Sequence, residues 1–132
     1  MILDTSALLA ILLNEPEAAD FAAVLDQART IRISAASYLE AAMIIDRQRD
    51  EIRSAMLDDF LIDFDIQVEP VTVEQTRVAR QAFRSFGKGI GPAGLNYGDC
   101  FTYALAKVTR EPLLFKGNAF SKTDLPPAAS QP

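Results

Sequence analysis

Histidine is absent from the 132 residues and cysteine occurs once, at Cys100, so any acid–base chemistry falls to carboxylates. No Ser/His/Asp or Cys/His triad can be assembled, and neither an internal disulfide nor a Cys-rich zinc or iron–sulfur centre is available. Three carboxylates stand out by position. Asp4 follows the apolar run Met1-Ile2-Leu3 and precedes a helical pattern; an Asp there is also a good helix N-cap. Glu40 is the only charged residue between Ser34 and Ile45, and its helical neighbours Ala36, Met43 and Ile44 are apolar. A Glu buried on such a face needs a cation or a hydrogen-bond donor, or it stays protonated. Asp99 lies in Asn96-Tyr97-Gly98-Asp99, where a capping box is the structural alternative. Three carboxylates in separate segments, without histidine, form the donor set of an all-oxygen site for Mg²⁺ or Mn²⁺.

Positioning such a site is the task of the surrounding elements. The chain reads as strand (1–3), cap, and a helix carrying Leu8, Ile11 and Leu12, with Pro16 opening a second helix through Phe21, Ala22 and Leu25. A β-branched strand at 30–34 precedes a largely buried helix over 34–45, then an amphipathic helix over 49–64 with Ile52, Met56, Phe60 and Phe64 at steps of four. A strand over 66–71, helices over 72–86 and 97–109, and a strand over 112–115 complete the pattern. Repeated β-α units imply an α/β fold with a mainly parallel sheet covered by helices on both faces. Sites in such sheets form beyond the carboxyl ends of the strands, where Asp4 stands. The length fits one domain, and 49% hydrophobic with 23% charged residues is the composition of a folded chain.

A net charge of −5 supplies no global attraction for nucleic acid or an anionic membrane, so contact with either must be local. Arg77, Arg80, Arg84 and Lys88 fall at steps of three, four and four, which clusters them on one helical face, with Ala79, Ala82, Phe83 and Phe86 opposite. The stripe is a candidate phosphate track; a solvated helix face is its plain alternative. The loop from Gly87 to Gly98 holds five of the six glycines, has no nucleotide-binding spacing, and reads as a flexible flap beside the site. Asp58, Asp59, Asp63 and Asp65 read as solvated helix surface. The N-terminal stretch has no basic region and is interrupted by Asp4 and Asn14-Glu15-Pro16, so neither a signal peptide nor a membrane span is expected and a cytoplasmic location is the default.

Four motifs in order along nearly the whole chain resemble the PIN-domain toxins of the VapC type. They are Met1-Ile2-Leu3-Asp4-Thr5-Ser6-Ala7-Leu8; Ser37-Tyr38-Leu39-Glu40; Leu95-Asn96-Tyr97-Gly98-Asp99-Cys100-Phe101 with Tyr103-Ala104-Leu105-Ala106-Lys107; and Leu113-Leu114-Phe115-Lys116-Gly117-Asn118 with Phe120-Ser121-Lys122-Thr123-Asp124-Leu125. The resemblance implies a three-layer α/β/α PIN domain over residues 1–125 with a frayed tail over 126–132. It further implies a Mg²⁺- or Mn²⁺-dependent endoribonuclease neutralised by a VapB-type antitoxin, a homodimer, and operator-DNA binding only through the antitoxin. On this resemblance Asp4, Glu40 and Asp99 are the catalytic acids, Asp4 and Asp99 the direct metal ligands, and Thr5, Ser6 and Asn118 supporting residues. An antitoxin Arg is the expected occupant of the acidic pocket.

One position departs from that pattern. The segment before Phe120 reads Gly117-Asn118-Ala119, where such toxins usually carry a further acid. A catalytically silent antitoxin-binding module is therefore the alternative function. A haloacid-dehalogenase-like phosphatase also places an Asp after its first strand, but that chemistry needs a second Asp two residues on, and position 6 is Ser.

Overall fold

A computed structural model describes residues 1–126 of the chain. Four short strands, β1 (Ile2–Leu3), β2 (Ile31–Ser34), β3 (Ile66–Glu69) and β4 (Leu113–Leu114), form one sheet in the order β3-β2-β1-β4, with every pairing parallel. Parallel neighbours need long crossovers, and each here contains two helices. These are α1 (Thr5–Leu12) and α2 (Ala18–Gln27), then α3 (Ala35–Arg47) and α4 (Glu51–Asp63), then α5 (Val73–Phe86) and α6 (Tyr97–Thr109).

The layers follow from β1, whose successive side chains point to opposite faces of the sheet. Leu3 joins a core with Leu8, Phe21, Leu25, Ile33, Ile45 and Phe60 from the first four helices and β2. Ile2 joins a second core with Leu95, Ala104, Leu105, Leu113 and Phe120. This is the expected α/β/α arrangement. After running outward from β1 to β3, the chain returns to place β4 on the other side of β1. That reversal is a topological switch point, and the crevice beyond the carboxyl ends of β1 and β4 is where such a fold presents a site.

Several expectations are corrected by packing. Pro16 precedes its helix by two residues, and Pro70 lies beyond β3, which ends at Glu69. α3 is not largely buried: Leu39 and Met43 stand exposed. In α4 the core contacts come from Leu57 and Phe60, while Ile52 and Met56 face solvent. α5 ends at Phe86 because Gly87 leaves helical backbone, so Lys88 falls in the following turn; Phe83 is exposed beside the groove facing α6. The glycine loop is laced down and is no open flap. Lys88 N–H donates to Leu95 O, Leu95 N–H to Phe86 O and Gly91 N–H to Gly87 O, with Ala93 and Leu95 buried. The proposed 126–132 tail lies, apart from Pro126, outside the described residues.

Candidate active site

Asp4 is the N-cap of α1, with extended backbone at φ −85° and ψ 154°. It is only 4% exposed, yet its carboxylate accepts three hydrogen bonds from protein groups. Oδ2 accepts from Ser6 N–H at 3.0 Å and Ser6 Oγ–H at 2.6 Å; Oδ1 accepts from Thr102 Oγ–H at 2.6 Å. Because Thr102 spends its only proton on Asp4, its oxygen accepts from Ser37 Oγ–H at 3.0 Å. On the other side Ser6 Oγ accepts Lys116 N–H at 2.9 Å. Hydroxyls from α1 and α6 therefore hold the carboxylate directly, and each is held in turn, Thr102 by Ser37 of α3 and Ser6 by the Lys116 amide after β4. Charge-assisted bonds of this kind are short and directional, and they fix where the carboxylate points.

Asp99 satisfies its structural alternative in full. Asn96 Oδ1 accepts Asp99 N–H at 2.8 Å, and Asp99 Oδ2 accepts Asn96 N–H at 3.0 Å, a reciprocal capping box that starts α6. The same carboxyl belongs to the acidic site. Burial pushes its pKa above the usual range, the Asn96 N–H pulls it back, and the negative charges of Asp4 and Glu40 push it up again. Both neighbours are thus within electrostatic reach. Glu40 meets α6 at Gly98, where an added methyl would sit 2.6 Å from Oε2 and 2.9 Å from Oε1. Glycine there is what lets the Glu40 carboxylate lie against the start of the helix.

Glu40 is exposed and lines a groove with Leu39, Met43, Tyr97 and Phe101. The expectation of a buried Glu is overturned, because of the apolar neighbours that implied burial Met43 is exposed and Ala36 and Ile44 are only partly buried. Thr5 is buried and donates to Ser37 O at 3.0 Å, joining α1 to α3 without touching the acids. Asn118 is exposed; its carbonyl accepts from Ser121 Oγ, and its side chain takes no part in the hydrogen bonds at Asp4 or Asp99. Ala119 packs against the second core. Thr102, Ser37 and the Lys116 amide were missed from sequence. The available signal was spacing, since Ser37 stands one helical turn before Glu40 and Thr102 one turn after Asp99.

Among the described residues, no ion pair neutralises Asp4, Glu40 or Asp99. Three acids, two of them compensated by hydrogen bonds alone and Glu40 by none among the described residues, offer only hard oxygen donors, which suits a divalent cation such as Mg²⁺. As they stand, no three carboxylates among the described residues converge closely enough to enclose an ion. Cys100 is buried, and its thiol is pushed up by burial and by the Asp99 charge, the opposite of an activated nucleophile. Arg77, Arg80, Arg84 and Lys88 are all exposed, and none is in an ion pair among the described residues. No helix among the described residues is long and apolar enough to cross a membrane.

The model of the PIN domain matches residues 1–125. The chain is 53% identical over 124 residues to "Ribonuclease VapC28" of Mycobacterium tuberculosis, covering 93% of each. It is 48% identical over 132 residues to "Ribonuclease VapC42" of the same species, covering 98% of this chain and all of the relative. The crystal structure of Mycobacterium tuberculosis VapC20, described as a Sarcin-Ricin loop cleaving toxin, superposes with a TM-score of 0.75 over 95% of each chain at 12% identity.

Proposed function

The chain belongs to the PIN-domain family, and we propose that it is an endoribonuclease toxin of a toxin–antitoxin module, hydrolysing RNA phosphodiester bonds with a divalent metal ion. The observation that carries the reading is the buried, hydroxyl-braced Asp4 at the sheet's switch point, with Asp99 and Glu40 within electrostatic reach. Asp4 and Asp99 would hold the Mg²⁺ or Mn²⁺ ion. When bound, the ion supplies Lewis-acid polarisation of the phosphodiester and eases deprotonation of water.

The chain's own residues do the positioning. Ser6 and Thr102 keep Asp4 aimed, and the Asn96 amide holds Asp99 at the start of α6. Glu40, exposed beside that helix, orients the attacking water and accepts its proton. Arg77, Arg80, Arg84 and Lys88 supply the phosphate contacts that the chain's net charge does not. Partners of this reading are a VapB-type antitoxin, whose Arg would neutralise the acids by bidentate contact, and a second copy of the chain. DNA contact would run through the antitoxin alone, and the location would be cytoplasmic.

A silent antitoxin-binding module is favoured by one observation, Ala119 packed in the second core where relatives of this type usually carry an acid. Cleavage of RNA by the purified chain with and without Mg²⁺ or Mn²⁺, beside its Ala119→Asp form, separates the two. Metal-dependent cleavage by the unaltered chain supports the enzyme. Cleavage by the Ala119→Asp form alone would support the silent module.

A further inference from the structure

Lys116 is the first exposed residue after β4. β1 and β4 pair as far as the Asp4 N–H, which donates to Leu114 O at 3.0 Å; two residues on, the Lys116 N–H donates instead to a side chain, Ser6 Oγ, at 2.9 Å. Ser6 Oγ passes its own proton to Asp4 Oδ2 at 2.6 Å. The chain then turns at Gly117, whose φ is +99°, and residues 116–118 stay exposed until Phe120 returns to the second core. One long side chain ties this stretch back. The Lys116 ammonium lies 3.0 Å from Glu15 Oε1 and 2.9 Å from Glu17 Oε2, in the turn between α1 and α2. Glu17 Oε2 is buried, and among the described residues that ammonium is its only partner. The two acids flank Pro16, whose ring holds φ near about −65°, and their turn begins at Asn14 in the left-handed region at φ 52°. Their spacing is therefore set by the backbone.

We propose that Lys116 is a positioning residue for Asp4: its ammonium, clamped between Glu15 and Glu17, locks the chain after β4 so that its backbone amide holds Ser6 Oγ, and through it Asp4, in the direction a divalent metal ion requires. The inference rests on the metal-dependent ribonuclease reading and adds to it a residue that touches neither metal nor RNA. With the Lys116 side chain 39% exposed and the glutamates 35% and 33%, ion pairs of this kind contribute little to stability. What they fix is place. Ammonium and amide belong to one residue, so tying the first to the α1–α2 turn limits how far the second can leave Ser6. A compact ammonium with three donors can serve both carboxylates at once. Moving it to an RNA phosphate instead would strip both glutamates of their countercharge and leave Glu17 Oε2 buried and unpaired.

The test uses the full chain carrying Lys116→Met, which keeps the side chain's bulk and removes its charge. In metal-free protein the amide of residue 116 should lose most of its hydrogen-exchange protection, read by NMR. Mg²⁺ affinity, read from the Mg²⁺ dependence of Tm and from the Mg²⁺ requirement of RNA cleavage, should fall about tenfold or more. RNA affinity without metal, and its slope against salt, should stay native, because no phosphate contact is lost. Lys116→Arg should restore the protection and the Mg²⁺ affinity, since a guanidinium also bridges two carboxylates. Glu15→Gln with Glu17→Gln should weaken Mg²⁺ as Lys116→Met does, and adding that pair to Lys116→Met should cost nothing more. The same pair decides the matter if Lys116→Met fails to fold. Native protection and native Mg²⁺ affinity in Lys116→Met would overturn the proposal. So would a shallower salt slope of RNA binding, which would put the ammonium on phosphate. An unaltered chain that cleaves no RNA with Mg²⁺ or Mn²⁺ would strike the ribonuclease reading instead, while amide protection and Tm still decide Lys116.

Discussion

Asp4 and Glu40, two acids of the proposed site, stand at opposite extremes of order in the fold. Asp4 is buried and receives three hydrogen bonds from Ser6 and Thr102. Glu40 is exposed and, among the described residues, receives none. The first has lost its rotamer freedom on folding, and the second keeps it until something binds. A fixed acid defines where a cation sits; a mobile one can follow a water molecule or a phosphate. The difference divides the site into a wall built by the core and a wall built by the surface, and mutations on the two sides should behave differently.

The largest effect is expected at the fixed wall. Asp4→Asn puts an amide N–H₂ against a hydroxyl that already donates, so RNA cleavage should fall to background while urea unfolding reports a loss of about 1–3 kcal/mol. Thr102→Val removes one donor to Asp4 and leaves Ser37 Oγ without its acceptor. Activity or metal affinity should drop about 10–100-fold, the range for residues that orient a metal ligand, in metal titrations of cleavage. If Thr102→Val cleaved like the native chain, the contrast between the two walls would collapse.

Smaller effects are expected at the exposed side. Replacing Arg77, Arg80 and Arg84 together by Ala should weaken RNA binding and reduce its log–log salt slope by roughly 0.7 for each Arg that touches phosphate, with urea stability unchanged. Gly98→Ala should displace the Glu40 carboxylate, given the 2.6 Å approach, and lower turnover several-fold. Helix stability should hold or rise by up to about 1 kcal/mol, because Ala favours helix over Gly. Turnover equal to native would show that the mobile wall adapts to the methyl.

The smallest effect concerns Asp99 in metal-free protein. Burial raises its carboxyl pKa in the folded state, so between the ordinary carboxylate value of about 3.9 and the raised value the folded chain binds more protons than the unfolded one. Stability therefore falls as pH rises through that window. Asp99→Asn should raise the metal-free Tm at pH 7, and the gain should vanish below about pH 3, where both states are protonated. Millimolar Mg²⁺ should raise the native Tm more than that of the variant. A Tm difference independent of pH would remove the carboxyl's buried charge as its cause.

The fixed wall and the mobile wall were also unequally legible in sequence. Asp4 announces itself by following an apolar run and opening a helix, and the β-α alternation places it at a strand's carboxyl end. Asp99 is readable for the same local reason, since Asn96 three residues earlier makes the capping box. Thr102 was hidden because its partner is 98 residues away, and its one-turn spacing from Asp99 does not by itself say that its hydroxyl meets Asp4. Glu40 was misread as buried, since periodicity reports which residues share a face and is silent on whether that face meets the core. Phe83, Leu39 and Met43 repeat the lesson. The glycine loop failed in the other direction: Gly content marked it as free, and long-range partners such as Leu95 pin it.

The position of β1 in the middle of the sheet has a consequence for the cell that makes this protein. The first strand is synthesised well before its β4 neighbour, the Thr102 hydroxyl and the Lys116 amide, the last two lying 98 and 110 residues beyond the groups they hold. At roughly 5–20 residues per second of synthesis, Asp4 waits for several seconds without the groups that aim it. The ribosome, itself built of RNA, is therefore handling a nascent chain whose cutting edge stays unassembled until those later residues have been made.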